Sequence, residues 1–68
     1  MKLKDLKPVI FSTTGCLQLC VVYDRCNNVD LENGCSAEYA FKHYGEREVH
    51  NVSATYEDGC AMLVLSIV

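Results

Sequence analysis

The closing run "CAMLVLSIV", Cys60–Val68, decides the fold, because Ala61, Leu63, Leu65 and Ile67 alternate with Met62, Val64 and Val68 and both sets are apolar. A strand apolar on both faces belongs at the centre of a sheet or under a helix; otherwise it leaves an apolar face awaiting a partner. The run has nine residues, less than half of the roughly 20 that cross a bilayer as a helix, so it reads as a core strand and no membrane partner is expected.

Immediately upstream, Glu57–Gly59 has the composition of a tight hairpin turn, with Gly59 free to take a positive φ. Before it, "VHNVSATY" places Val52, Ala54 and Tyr56 on one face and Asn51, Ser53 and Thr55 on the other, the pattern of a half-buried strand. Further back the period changes. Ala37, Ala40, Phe41 and Tyr44 fall at i, i+3, i+4 and i+7, an apolar helical stripe. Ser36 is placed to cap this helix, Glu38 lies in its first turn, Lys42 and His43 lie near its end, and Gly45 is expected to close it in a left-handed conformation. A helix this short draws its stability from packing.

The pair Asn33-Gly34 is a strong turn signal and sets the expected end of a short strand over Val29–Glu32. In the preceding "DRCNNVD", Asp24, Asn27 and Asn28 hydrogen-bond their own backbone readily and suit a turn. Leu17 to Tyr23 reads as the first strand, with Leu17, Leu19, Val21 and Tyr23 on one face and Cys16, Gln18, Cys20 and Val22 on the other. The first residues form a helical turn with Leu3 and Leu6 inward. Pro8 lacks a backbone donor and disfavours helix at Lys7, so that turn is expected to stop early and "FSTTG" to be a turn.

These elements make a single α+β domain over residues 1–68: a small four-stranded, mostly antiparallel, curled β-sheet with one short inserted helix, in the order β-β-α-β-β. At 68 residues there is room for one modest core, and an apolar fraction of 50% is unlike that of a disordered chain. Nine acidic against six basic residues give a net charge of −3, with no basic stripe beyond Lys2, Lys4 and Lys7, which argues against nucleic acid as partner. Asp5, Lys7 and Pro8 interrupt the apolar run that a signal peptide would need, so a cytoplasmic location is expected. The sequon at Asn51 then carries no meaning.

Five cysteines, an odd number, and no export signal speak against a disulfide framework. A zinc site assembled from Cys16, Cys20, Cys26 and Cys35 is the alternative reading, although Cys16 and Cys20 on one regular strand face would lie roughly 13 Å apart. The other reading treats the strand cysteines Cys16, Cys20 and Cys60 as small buried hydrophobes. No Cys-x-x-Cys pair or Gly-rich phosphate loop implies a cofactor, and neither His43 nor His50 has a recognisable nucleophile beside it, so no catalytic residue is nominated. The half-polar rings of Tyr23, Tyr39, Tyr44 and Tyr56 are the candidate interface residues.

The segments "MKLKDLKPVI", "CVVYDRCNNVDLENG" and "AMLVLSIV" resemble a family of small uncharacterised proteins of Firmicutes and their phages or other mobile elements. The resemblance implies no enzymatic activity or ligand, and points to an accessory protein of a mobile element acting on a host factor. Together these readings give a non-enzymatic intracellular protein-protein interaction module that contacts a protein partner or forms a homodimer. The small zinc domain is the alternative.

Overall fold

The structure, a computed structural model, describes residues 1–13, 18–57 and 59–68, the side chains at 11–13 and 57 excepted. A 3₁₀ turn, Leu3–Leu6, runs into α1, Lys7–Thr13; then follow β1, Leu19–Asp24, β2, Val29–Ser36, α2, Ala37–Tyr44, β3, Val49–Glu57, and β4, Cys60–Ile67. The sheet order is β2-β1-β4-β3. Two antiparallel hairpins, β1–β2 and β3–β4, therefore stand side by side, and their inner strands β1 and β4 pair in parallel. α2 carries the chain from one edge of the sheet to the other. This is the expected four-stranded, mostly antiparallel α+β architecture, and β4 occupies a central position as its two apolar faces require.

One core joins the layers. Leu3, Ile10, Cys20, Val22, Ala37, Ala40, Phe41, Leu65 and Ile67 are buried together, and Leu63, Cys35 and Tyr44 pack against them. The helix-side face of β1 is thus the Cys20 and Val22 face, and that of β4 is the Leu63, Leu65 and Ile67 face. Burying a side chain of the size of Leu65 contributes about 1.5–3 kcal/mol. Met62 and Ser66, on the opposite face of β4, are buried as well, as expected of a central strand in a curled sheet.

Helix α2 forms where its apolar stripe predicts: Ala37, Ala40 and Phe41 are buried, and the Tyr39 N–H donates to Ser36 Oγ at 3.1 Å as an N-cap bond. Gly45 corrects its expected role. Its φ is −59°, right-handed, and a side chain there would collide with the Phe41 carbonyl oxygen, so glycine is needed for close approach rather than for handedness. At the other end of the chain Pro8 does not stop the helix. It lies in the first turn of α1, where backbone N–H groups have no intrahelical acceptor, and Lys7 accepts a right-handed conformation before it. Of the expected "FSTTG" turn, residues 11–13 instead belong to α1, and Thr14 and Gly15 lie outside the described residues, as do Cys16, Leu17 and Asp58.

The Asn33-Gly34 pair is not a turn either. β2 passes through it to Ser36, with register shifts that pair Cys20 with Cys35 and Val21 with Asn33, leaving Gly34 as the extra residue of a bulge at φ +93°. The β1–β2 turn forms where "DRCNNVD" predicts it, at 25–28: Asn28 has φ +53° and the Asp24 carboxylate accepts from the Cys26 N–H at 3.0 Å and from Asn27 Nδ2 at 2.8 Å. Hydrogen bonding from Asn27 is the main reason the Asp24 carboxyl is held below its usual pKa despite burial, with Arg47 nearby at 3.5 Å.

Candidate functional site

The two sheet edges differ. β2 carries two register irregularities and presents Asp30 and Glu32, features that disfavour continued strand pairing. β3 keeps a continuous register against β4 from Asn51 to Glu57. At its start the outer edge is occupied: the Leu3 N–H donates to the Arg47 carbonyl and the Val49 N–H to the Met1 carbonyl, both at 2.9 Å. From His50 onward β3 has no strand on its outer side among the described residues.

The same stretch is apolar on its helix-side face. Val52 pairs with Leu65, Ala54 with Leu63 and Tyr56 with Ala61, so these residues extend the core face outward. α2 packs on β1 and β2, at the far side of the sheet, and leaves them uncovered: Val52 is 42% and Tyr56 72% exposed, and Ala54 and Ala61 are exposed too. On the opposite face Asn51 and Ser53 meet solvent. Edge backbone with an adjoining apolar strip is what strand addition requires: main-chain hydrogen bonds supply affinity and alternate side chains supply selectivity.

A second cluster lies where α2 meets β2. The Tyr44 hydroxyl donates to Glu32 Oε1 at 3.2 Å, and the ring of Tyr39, 41% exposed, stacks on His43 at 4.1 Å between centroids. Hydrogen bonding to Glu32 and its charge push the Tyr39 hydroxyl pKa up; burial, and then Glu32, push up that of Tyr44. Burial and the Glu32 charge also raise the Cys35 thiol. Protonated phenols around one carboxylate make a polar contact surface. His50 faces Asn51 Oδ1 at 3.1 Å.

The four candidate tyrosines do not form one patch. Tyr39 and Tyr44 share Glu32, whereas Tyr23 donates to Asn28 Oδ1 at 2.8 Å beside the β1–β2 turn. Tyr23 pairs with Ser66 and Tyr56 with Ala61, on opposite faces of the sheet. Nor do the proposed zinc ligands converge. Cys20 and Cys35 sit across from each other, but Cys26 is exposed in the turn at the far end of the hairpin, more than about 13 Å along the strands, and Cys16 lies outside the described residues. Among the described residues no group of three His, Cys, Asp or Glu is arranged to hold a metal ion, and no helix is long and apolar enough to cross a membrane. A surface cleft of about 260 Å³ lined by Lys4, Lys7, Glu38, Phe41 and Lys42 involves none of the candidate tyrosines.

Sequence reasoning missed Val52 and Glu32. Val52 was visible as a face residue of an alternating strand, but its exposure follows from where the helix lies. No family model, curated protein or solved structure matches the chain.

Proposed function

We propose that the chain is a non-enzymatic interaction module that binds a protein by accepting an extended segment along the β3 edge. The observation that carries this reading is the outer side of β3 beyond Val49, which no strand among the described residues occupies and which exposed Val52 and Tyr56 flank. An edge strand of this kind is a template for another chain unless charge, proline or a bulge blunts it, and Asn51 to Thr55 contains none of these. Tyr56 supplies a large amphipathic anchor of the type enriched at interfaces. The family resemblance adds the partner class: a host-cell protein.

A photo-crosslinking residue at Tyr56 of the full chain, with a control at Asp30 on the opposite edge, tests the reading in cells. A defined adduct from position 56, abolished by Ser53→Pro or Thr55→Pro in a variant shown to be folded, is expected. Adducts at position 30 alone, or an adduct at 56 unaffected by both prolines, would show that β3 does not receive the partner as a strand.

A further inference from the structure

Cys20 on β1 and Cys35 on β2 are direct antiparallel partners, so both side chains project from the same face of the hairpin. The core holds both: Cys20 is fully buried, and Cys35 packs against the same cluster while keeping partial exposure. Directly opposed residues of an antiparallel pair have Cα atoms about 4.5–5.5 Å apart, inside the roughly 4.4–6.8 Å that a disulfide spans. Burial first, and then the neighbouring Cys35, push the Cys20 thiol pKa up to about 11.

We propose that Cys20 and Cys35 are a thiol modification site at which a small-molecule disulfide installs a reversible cross-strand bridge. Cys35 is the entry point because it alone of the pair meets solvent. Its thiolate attacks one sulfur of the incoming disulfide, forming a mixed disulfide and expelling one thiolate. Cys20 then loses its proton, its sulfur attacks that of Cys35, and the second thiolate leaves. Two protein thiols are oxidised to one disulfide, and the small disulfide is reduced to two thiols that take up the two protons.

The bridge removes one weak hydrogen bond and leaves no acceptor without a donor. The Cys20 thiol donates to the Gln18 carbonyl at 3.7 Å, a weak contact, and that carbonyl also accepts from the Ala37 N–H at 2.9 Å. Losing the thiol proton therefore strands no acceptor. The bulge at Gly34 is what makes the pairing: it ends one residue before Cys35 and restores the register that sets Cys35 against Cys20.

The test uses the full chain with Cys16→Ser, Cys26→Ser and Cys60→Ser, incubated natively with oxidised glutathione. The expected product lacks two hydrogens by intact mass, takes up no iodoacetamide, and unfolds at a urea concentration roughly 1–3 M higher than the reduced form. Cys20→Val in the same background is expected to stop at a single glutathione adduct on Cys35. If the triple variant does not fold, peptic mapping of the native-oxidised wild-type chain distinguishes Cys20–Cys35 from every other pairing. A glutathione adduct persisting beside a free Cys20, a bridge formed only in urea, or no reaction under native conditions would each overturn the proposal.

Discussion

Replacing Gly34 with L-alanine and, by chemical synthesis, with D-alanine isolates the strain held in the β2 bulge. Gly34 has φ +93°, and a Cβ built there meets nothing within 4 Å, so the cost is in the backbone and not in a collision. An L-residue held in that region costs about 1–2 kcal/mol, whereas D-alanine takes the same φ as its natural conformation. Both alanines restrict the unfolded chain equally, which removes from the comparison the ~0.4–1 kcal/mol that a Gly→Ala change otherwise contributes through the unfolded state. The difference between the two variants is then the strain itself. For a chain of this size, 1 kcal/mol moves Tm by about 4–8 °C, so the L variant should melt about 4–16 °C below the D variant, read by circular dichroism or calorimetry. A whole-chain stability of about 3–10 kcal/mol leaves both variants folded at low temperature. Equal melting of the two would refute the bulge assignment and, with it, the register that opposes Cys20 and Cys35.

Ser36→Ala removes the acceptor of the Tyr39 N–H bond, recorded at 3.1 Å, and should lower stability by about 1 kcal/mol in urea titration, with Ser36→Asp restoring most of it. Leu65→Ala hollows a position with 0% exposure at the centre of the core; a loss of about 2–5 kcal/mol should leave a large unfolded fraction by near-ultraviolet circular dichroism. Glu46, bonded by Lys4 and then Lys2, has its pKa lowered from 4.5 to about 2. A depressed carboxylate stabilises the fold above its unfolded pKa and loses that contribution as the pH falls from about 4.5 toward about 2; the loss should be absent in Glu46→Gln and reduced by salt, since the pair is exposed.

What was legible in the chain was periodicity. Ala37, Ala40, Phe41 and Tyr44 specify a helix whichever elements surround it, and the two-faced apolarity of Leu63 to Ile67 demands a central strand. What misled was local punctuation read without tertiary context. Asn33-Gly34 correctly signals a positive φ, but a bulge uses that conformation as readily as a turn does, and only the partner strand decides between them. Pro8 forbids a donor, yet the first turn of α1 needs none. The tyrosine cluster was half legible: Tyr39 and Tyr44 share a helix, but Glu32 enters from β2, twelve positions before Tyr44, and no pattern within a window of that length announces the contact.

The asymmetry of the two edges ties the fold to the proposed binding mode. A 2-1-4-3 order makes β2 and β3 the outer strands, and the chain protects only one of them. β2 is kinked by its bulges and presents Asp30, whose charge disfavours an apolar strand alongside. α2, which begins directly after β2, settles over that half of the sheet because Ala37 and Ala40 allow close approach, and the short helix cannot also reach β3. Among the described residues the β3 edge is then covered only where residues 1–3 pair with 47–49. Beyond the register irregularity at His50, Asn51 to Glu57 offers about 24 Å of regular strand at ~3.4 Å per residue, enough for a partner segment of ordinary strand length. A helix long enough to cover Val52 and Tyr56 would remove that site, so lengthening α2 at Gly45 should weaken partner binding while leaving the two hairpins paired.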